Sequence, residues 1–475
     1  MKMIRIILLS FTSSAFAQSG ISTVPQALQS PQNSQAIPQN TEIADPTSSP
    51  SAPSATTPRI IIPVGDPSVK KVLLAIEPTI GADGVAQEFF QTMNSDMDFS
   101  DMFELLPLTR LPERKGYLNG YKILGVEFLI QSEVQKNVAG KFEATVRLWD
   151  VNKGMVLLAR RYPFVSSSGQ VGRELAHFSA NDIVQTLTGE PGIFRTRILL
   201  SCGKKNIREL YIMDFDGQNV RQLTHDRNMV LSPSWAQDGK RILFTAYRAS
   251  KPKAFVNPNL YLMDLVSNKT QSISREQGLN SGGVFRPGHN QIAFVFSKKG
   301  RPELFLRDLT ANTIMKLTES QSSYFTVEPS WNPNGTQLAY SSHAYAKKDE
   351  SHPHIYIANA NGANRKRLTF AGTYNSSPNW SPKGDKIAFS GQENRANNFN
   401  IFTVNPNSGE IQRLTDGSDS KENPSFSPDG RFIAFSGNSG GSYRIYVMTA
   451  GGTRIRALTN PALGSCKQPA WSPRL

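Results

Sequence analysis

One short pattern in this sequence is of a type that supports nucleophilic catalysis. Gly437–Gly441 reads GNSGG and matches the G-x-S-x-G motif, in which a serine on a strand-to-helix turn works with a later histidine and acid. In this chain Ser439 lies between two strand-like runs, and no histidine follows it in the sequence. The pattern therefore predicts a Gly/Ser hairpin between two strands and not a catalytic serine.

The histidines and acidic residues offer only weak metal-binding patterns. Three of the six histidines, His343, His352 and His354, lie in one excursion between strands, and a His-x-His pair can bind zinc. No third ligand at a fixed spacing accompanies them, so we predict a solvated loop. His177 falls in a helix-like segment, where we expect a core or interdomain hydrogen bond. Asp214–Gly217 begins like a calcium loop but lacks the remaining ligands, which predicts a hairpin turn. We expect neither a metal nor a cofactor.

These patterns are embedded in a repeat that fills the second half of the chain. Each copy has a proline or small residue, an aromatic residue, a polar turn with glycine and an apolar strand, as in PSWNPNGTQLAY. The aromatic residues recur every 45 to 50 residues, at Trp235, Phe285, Trp331, Trp380, Phe426 and Trp471. A second apolar phrase and a short segment that usually ends in Leu-Thr complete each copy. A period in the forties with four short strands predicts a β-propeller, here of six blades.

The last copy of the repeat lacks its second strand, because the chain ends at Leu475. A matching strand, Arg197–Ser201, lies before the first copy and aligns with Arg241–Thr245. We therefore predict that the sixth blade takes its innermost strand from the C-terminus and its other strands from the start of the propeller. Such a closure leaves no terminal blade with an open edge.

The two cysteines of the chain fall in these closing strands. Against the first blade, Cys466 aligns with Val230 and Cys202 with Ala246, two positions that face each other in an antiparallel hairpin. An exported chain can hold disulfides, so we predict a Cys202–Cys466 disulfide across the closure. Two free buried thiols are the alternative.

The first part of the chain is organised differently from the repeat. Residues 1–17 have a basic start, a short apolar run and an Ala-Phe-Ala cleavage site, which predicts a secretory signal peptide. Residues 18–58 are rich in Ser, Pro, Gln, Thr and Ala and have no aromatic residue, which predicts a disordered tether. Residues 59–194 mix helix and strand patterns and predict a small α/β domain, and the propeller is expected over residues 195–475. The predicted elements of the α/β domain are strands at Val72–Ile76, Phe103–Leu106, Ile123–Val134, Phe142–Val151 and Val156–Val165, and helices at Val85–Met93 and Gly172–Leu187.

The charge of the chain limits its partners. The net charge is +14, and it falls to +12 without the predicted signal peptide, which carries Lys2 and Arg5. This charge is compatible with an acidic partner or an anionic envelope surface. The basic residues are scattered and no nucleic-acid module is present, which argues against a nucleic-acid partner. No later stretch approaches the roughly 20 apolar residues of a membrane span, so we expect a soluble, exported protein.

The loops before the recurring aromatic residues are the candidate binding surface. The innermost strand of each blade runs along the channel, so residues at its start should line one rim, and mixed polar, aromatic and charged residues suit protein recognition. Ordinary loop composition is the alternative. The candidate rim residues are Asn228, Met229, Asn280, Ser281, Tyr324, Thr326, Glu328, Tyr374, Asn375, Lys421, Glu422 and Lys467.

The junction of the two predicted domains carries a family resemblance. Ala176–Ile198 reads AHFSANDIVQTLTGEPGIFRTRI and leads into six propeller copies that end in PAWSPRL. In these features the chain resembles the TolB family, the periplasmic propeller proteins of the Tol–Pal envelope system of Gram-negative bacteria. The resemblance extends from about Arg59 to Leu475.

The resemblance implies the two-domain fold, a periplasmic location and no enzymatic activity. It also implies that the peptidoglycan-associated lipoprotein Pal binds at the propeller rim, with Glu328 as the leading residue, and that TolA contacts the N-terminal region. The family's fold usually begins soon after the signal peptide, whereas this chain inserts residues 18–58. It is therefore open whether the TolA-binding segment lies near Gln18 or at Arg59–Pro63.

Two functional hypotheses follow from the sequence. In the first, the chain is a periplasmic adaptor that binds Pal and TolA, and possibly other envelope proteins, and supports outer-membrane integrity and constriction at cell division. In the second, it is a propeller hydrolase or lyase that acts on envelope polymers, with a site assembled from separate blades. The missing catalytic constellation favours the adaptor.

Overall fold

The computed structural model describes residues 71–475 apart from positions 82, 114–117, 165–168, 249–256, 298–299, 319–323, 345–351 and 395–397. The predicted signal peptide and tether therefore lie outside the described residues. All described residues belong to one compact unit, Arg59–Leu475. Within this unit an α/β domain precedes a ring of six four-stranded sheets. None of the described helices combines the length and the apolar character that crossing a membrane requires.

Over the residues that the structure describes, the α/β domain contains one mixed sheet and three α-helices. The strands are β1 (Val72–Ile76), β2 (Ile80–Gly81), β3 (Phe103–Leu105), β4 (Phe128–Lys136), β5 (Phe142–Asp150) and β6 (Met155–Pro163). The helices are α1 (Asp83–Phe99), α2 (Leu118–Ile123) and α3 (Val171–Thr188). The strand order is β3-β1-β4-β5-β6, with β2 also paired to β4. Strand β1 is parallel to β3 and β4, whereas β4, β5 and β6 form an antiparallel meander.

Helices α1 and α3 cover one face of this sheet because their apolar residues recur at helical spacing. Phe89 and Met93 of α1 and Ile183 of α3 are fully buried, in one cluster with Val146 and Leu148 of β5. Helix α3 ends where the sequence indicates. Gly189 adopts a left-handed φ of 80°, and its N–H donates to the carbonyl oxygen of Gln185 at 2.8 Å.

One predicted strand of this domain starts at the wrong residue. The strand predicted over Ile123–Val134 is present as β4, but it begins only at Phe128, because Ile123 ends helix α2. The short helix is held by tertiary packing, because Tyr121 is fully buried and its hydroxyl donates to the Glu77 carboxylate at 2.7 Å. A single helical turn of this kind has no clear periodicity in the sequence.

The ring consists of six antiparallel four-stranded sheets, which confirms the predicted six-bladed propeller. Blade 1 contains β10 (Val230–Trp235), β11 (Arg241–Tyr247), β12 (Pro258–Asp264) and β13 (Thr270–Ser274). Blade 2 contains β14 (Asn280–Phe285), β15 (Gln291–Phe296), β16 (Glu303–Asp308) and β17 (Ile314–Lys316). Blade 3 contains β18 (Tyr324–Trp331), β19 (Gln337–Ala344), β20 (His354–Asn359) and β21 (Lys366–Arg367). Blades 4 and 5 contain β22 (Tyr374–Trp380), β23 (Ile387–Gln392), β24 (Asn400–Val404) and β25 (Ile411–Arg413); and β26 (Lys421–Phe426), β27 (Phe432–Ser439), β28 (Ser442–Thr449) and β29 (Arg456–Ala457). Blade 6 contains β30 (Ser465–Trp471), β7 (Arg197–Lys204), β8 (Ile207–Asp214) and β9 (Arg221–Gln222), in that order.

The Leu-Thr ending of most copies has a structural explanation. In five blades the threonine hydroxyl accepts a hydrogen bond from a buried backbone N–H in the first half of the third strand, at 2.9 to 3.0 Å. In blade 4, for example, Ile401 N donates to Thr415 Oγ1. Blade 1 has Ser274 instead, whose hydroxyl donates to Asn280. The threonine of the repeated dipeptide therefore supplies an acceptor to a buried backbone N–H of the third strand.

The sixth blade is closed as the sequence predicts, with β30 paired antiparallel to β7. Cys202 and Cys466 are register partners in this pair, and a disulfide joins them. Both residues are fully buried. The closure has further contacts at its other end, where Trp471 Nε1 donates to Thr196 Oγ1 at 2.8 Å and Ser472 N donates to the Arg197 carbonyl oxygen at 2.8 Å.

The α/β domain packs against one end of the propeller, at blades 5 and 6. Phe99 of α1 lies 4.9 Å from Phe215 and 5.1 Å from Phe432, measured between ring centroids. Around this apolar contact, Arg454 bonds to Asp98 at 2.7 Å and to Asp101 at 2.5 Å. On the other side, Arg173 of α3 donates to Asp214 at 3.0 Å and to Asp216 at 2.9 Å. Both groups of propeller residues follow the third strand of a blade or begin the second strand, so they all lie at the same end of the ring.

Candidate functional site: the propeller rim

The rim is defined here as the end of the propeller at which the first strand of each blade begins. The first strands of successive blades contact one another all around the ring, including the first and last blades, so they line the central channel. They begin at Val230, Asn280, Tyr324, Tyr374, Lys421 and Ser465. The α/β domain covers part of the opposite end, because it contacts residues at the ends of third strands and at the start of a second strand. The described residues of the α/β domain therefore leave the rim uncovered.

A bulge occurs at the same place in every first strand, three residues before the recurring aromatic residue. The register with the second strand shifts there in all six blades. The residue at the bulge has a left-handed backbone, with φ between 52° and 62°, although only one of the six is glycine. These residues are Ser232, Gly282, Glu328, Ser377, Asn423 and Gln468. A conformation that costs energy in five non-glycine residues is maintained by the surrounding structure.

Side-chain oxygens of adjacent blades maintain these bulges. Gln468 N donates to Ser436 Oγ at 3.0 Å, and Asn423 N donates to Ser390 Oγ at 2.9 Å. In each case the acceptor lies on the second strand of the preceding blade. At the bulge of blade 4, Ser377 N donates to the Glu328 carboxylate of blade 3 at 2.6 Å. The bulges thus link the blades through a polar ring along the channel.

Glu328 is the acidic member of this ring. Its carboxylate accepts from both the backbone N–H and the hydroxyl of Ser377, at 2.6 and 3.1 Å. Asn423 Nδ2 donates to the same hydroxyl at 3.1 Å. Burial raises the pKa of Glu328, and the charge of Glu422 raises it further, while the two bonds from Ser377 oppose the shift.

A second charged group lies beside it, between blades 5 and 6. Lys467 Nζ lies 3.4 Å from Glu422 Oε2 and 3.4 Å from the ring centroid of Tyr443, whose hydroxyl donates to Glu422. Burial lowers the pKa of Lys467, and burial together with the Glu422 charge raises the pKa of Tyr443. Burial and the charges of Glu328 and Glu422 also raise the pKa of Tyr374. Four predicted rim residues, on four different strands, therefore share one electrostatic environment.

Other predicted rim residues have structural contacts. Asn280, Thr326 and Asn375 are buried, and the side chain of Asn375 donates to the Ala371 carbonyl oxygen at 2.9 Å. Asn280 Nδ2 likewise donates to loop carbonyl oxygens, and Thr326 Oγ1 lies 3.3 Å from Ser342 Oγ. These three side chains are placed to hold loops and strands together.

The remaining predicted residues are partly buried or described only by their backbone. Lys421 Nζ donates to the carbonyl oxygens of Asp416 and Asp419, at 2.7 and 2.9 Å. Asn228, Met229 and Ser281 are partly buried at the starts of blades 1 and 2, and Tyr324 begins β18.

The predicted solvated histidine loop is wrong for two of its histidines. His343 and His354 are buried, because β19 and β20 extend to these positions and shield them. Burial lowers the pKa of both residues to about 4, so both imidazoles are neutral at pH 7. The Nδ1 atom of His354 lies 3.3 Å from Asn375 Nδ2. Among the described residues, no group of three or more histidine, cysteine and acidic side chains is arranged to hold a metal ion.

The other two chemical patterns have structural positions. Gly437–Gly441 forms the hairpin between β27 and β28, which confirms that prediction, since Ser439 is in a strand and pairs with Ser442. The Nδ1 atom of His177 lies 2.7 Å from Asp96 Oδ2 in the core of the α/β domain. Of the two expected kinds of hydrogen bond, core or interdomain, this is the core one. Burial raises the pKa of Asp96 to about 6.

Several rim residues were not found from the sequence. Phe370 is 71% exposed in the loop between blades 3 and 4, and Phe399 packs edge-on against Tyr374 with ring centroids 5.4 Å apart. Tyr443 comes from a third strand and completes the Glu422–Lys467 group. A comparison of equivalent positions across the six copies would have identified Phe370, because it is the one apolar residue at its position.

The fold and the site define a class of protein. The chain is a closed six-bladed propeller with an α/β domain at one end and a polar, partly aromatic rim at the other, an arrangement typical of protein-binding propellers. Residues 184–475 match the family model of the TolB β-propeller domain, and residues 61–157 match that of the TolB amino-terminal domain. Because the first match covers more than half of the chain, the chain belongs to the TolB family.

Individual relatives agree with this assignment. The Tol-Pal system protein TolB of Desulfosudis oleivorans is 31% identical over 54% of this chain and 58% of its own length. The TolB homolog of Chlorobium chlorochromatii is 31% identical over 58% of this chain and 61% of its own length. The chain thus aligns with about three fifths of the length of these relatives. The crystal structure of TolB from Acinetobacter baumannii superposes with a TM-score of 0.72 over 86% of this chain and 98% of that one, at 24% identity, and shows the shared fold.

Proposed function

We propose that this chain is a periplasmic adaptor of the Tol–Pal envelope system. Its rim binds the peptidoglycan-associated lipoprotein Pal, and its N-terminal region binds TolA. Through these contacts it supports outer-membrane integrity and envelope constriction at cell division. The observation that carries the proposal is the separation of two surfaces, because the α/β domain occupies one end of the propeller and, in the part that the structure describes, leaves the rim uncovered. Membership of the TolB family and the names of the relatives support it.

The rim has the composition of a specific protein-binding surface. It brings together the Glu328 carboxylate, the Lys467–Glu422–Tyr443 group and the aromatic pair of Tyr374 and Phe399. Such a mixture of fixed charged groups and aromatic contacts is suited to recognition of a folded partner. The competing hypothesis of a hydrolase or lyase gains no support from Ser439, because that residue lies in a strand hairpin.

The Pal contact is tested with the mature chain and purified Pal that lacks its lipid. Titration calorimetry should show one-to-one binding, and Glu328→Gln should weaken it at least about tenfold because the partner's contact with a partly buried carboxylate is lost. Glu410→Gln is the matched control, since Glu410 is exposed between β24 and β25 at the opposite end of the propeller. No measurable binding of Pal by the unaltered chain would sink the proposal.

The TolA contact needs a separate experiment, because the responsible segment lies outside the described residues. Two shortened chains, one without residues 18–58 and one without residues 18–64, are compared with the mature chain for binding to TolA. Loss of binding only in the chain that lacks residues 18–64 would support the candidate segment Arg59–Pro63. Equal binding by all three chains would contradict a TolA contact in this region.

A further inference from the structure

Phe370 is an exposed aromatic side chain at the rim. It lies in the loop between β21 and β22, and 71% of its surface is accessible to solvent. The Arg367 guanidinium lies over its ring at 4.8 Å, and Arg367 Nε donates to the Thr369 carbonyl oxygen at 2.8 Å. A large apolar group held in water in this way contributes little to the stability of the blade.

The loop that carries Phe370 is fixed on both sides. Thr369 is fully buried and accepts from Ile355 N at 2.9 Å. Beyond Phe370, the Ala371 carbonyl oxygen accepts from Asn375 Nδ2 at 2.9 Å, and Thr373 N donates to the Gln392 carbonyl oxygen at 2.7 Å. Phe370 is therefore presented from an ordered backbone, which reduces the entropy lost when a partner binds.

The other copies of the repeat show that the propeller does not require an apolar residue at this place. Phe370 directly follows the Leu-Thr dipeptide of blade 3. The residues at the same position in the other five blades are all polar or charged, namely His225, Arg275, Glu319, Asp416 and Asn460. Because these blades share the fold without an aromatic residue there, the architecture of the propeller does not require Phe370.

The surroundings of Phe370 specify the chemistry of the partner. Tyr374 and Phe399 form an aromatic pair at the start of the adjoining blade, and Arg367 adds a positive charge beside the exposed ring. The propeller itself is strongly basic, since residues 195–475 carry 36 of the 52 Lys and Arg residues but only 20 of the 38 Asp and Glu residues. An apolar contact with neighbouring carboxylates on the partner fits this surface.

We infer that Phe370 is the principal anchor of the rim for a folded, acidic protein partner, which buries an apolar side chain against its ring and places a carboxylate near Arg367. This inference rests on the proposed function, because it takes Pal as that partner. It adds the residue that contributes most to affinity and the chemical character of the surface that contacts it.

The test measures the affinity of the mature chain for purified Pal without its lipid. Phe370→Ser should weaken binding at least about tenfold, as expected for an aromatic anchor that becomes buried when the partner binds. Phe370→Trp should keep the affinity within about threefold, because it retains an aromatic surface. His225→Ser is the matched control at the equivalent position of blade 6 and should leave the affinity within about twofold. Raising the salt concentration should weaken binding by the unaltered chain.

The outcomes separate this inference from the proposed function. If the unaltered chain binds Pal and Phe370→Ser binds it within twofold, the anchor is refuted while the proposed function stands. A failure of the unaltered chain to bind Pal overturns both. A lower melting temperature for Phe370→Ser would show a structural role and also overturn the anchor, and binding that is independent of salt would overturn the acidic character of the partner.

Discussion

Replacing the disulfide by the residue pair that another blade uses should measure what the covalent closure contributes. Val230 and Ala246 occupy the same register positions in blade 1 as Cys466 and Cys202 in blade 6, and all four residues are fully buried. The double variant Cys202→Ala, Cys466→Val therefore removes the covalent bond while it installs a pair that this fold already accommodates. Packing losses, which complicate most cysteine replacements, are kept small.

The expected loss of stability follows from the length of the closed loop. The two cysteines are 264 residues apart in sequence. In the chain-entropy model a cross-link over such a loop destabilises the unfolded chain by about 5.6 kcal/mol, and measured values commonly fall below the model. We expect the variant to lose about 3 to 5 kcal/mol of unfolding free energy.

Equilibrium unfolding in urea, followed by tryptophan fluorescence, is the assay. The oxidised chain, the same chain after reduction, and the double variant are compared, and reduction should lower the midpoint of the unaltered chain alone. A non-reducing peptide map establishes the disulfide beforehand. A loss below about 1 kcal/mol in the double variant would refute the reasoning. Strand pairing and the Trp471 and Ser472 contacts would then be sufficient for closure.

Three further predictions concern individual contacts. The pKa of buried Asp96 is raised to about 6 from 3.8, so at pH 5 the folded chain binds a proton there that the unfolded chain has released. Acidification from pH 7 to pH 5 should therefore stabilise the unaltered chain by about 1 kcal/mol relative to Asp96→Asn. Urea midpoints of both chains at both pH values are the measurement. Thr415→Val should cost about 1 to 3 kcal/mol, because the buried Ile401 N–H loses its acceptor, and calorimetry should show that Thr415→Ser keeps most of this stability. Arg454→Gln should destabilise the chain by about 1 to 2 kcal/mol, because the buried Asp101 carboxylate loses one of its cationic partners. The variant should also speed proteolysis of the α/β domain, and an unchanged cleavage rate would contradict this.

The propeller could be predicted well because its six copies are aligned with one another. Each copy supplies the register of the others, so the alignment of Cys466 with Val230 and of Cys202 with Ala246 was enough to place the two cysteines opposite each other. The truncated last copy gave the closure by the same comparison. Internal repetition thus replaces structural information that a single domain sequence does not contain.

Other features depend on tertiary contacts that no local pattern contains. Helix α2 is one short segment whose helical state depends on the burial of Tyr121 against Glu77. His343 and His354 are buried because β19 and β20 extend beyond the repeated phrase. At the rim, sequence position placed residues near the channel but did not separate Glu328, which takes part in the polar ring, from Asn375, which holds a loop.

The way the ring closes determines how the chain responds to mechanical tension. The strand that leads out of the α/β domain, β7, is an inner member of the closing blade and is paired on both sides, with β30 and with β8. A pull between the α/β domain and a partner held at the rim is therefore applied directly to the closing blade, along β7, and loads two ladders of hydrogen bonds in shear. The Cys202–Cys466 bond crosses one of these ladders. Under tension, β7 and β30 cannot slide apart while this bond is intact, so the ring resists opening where the two ends of the propeller meet.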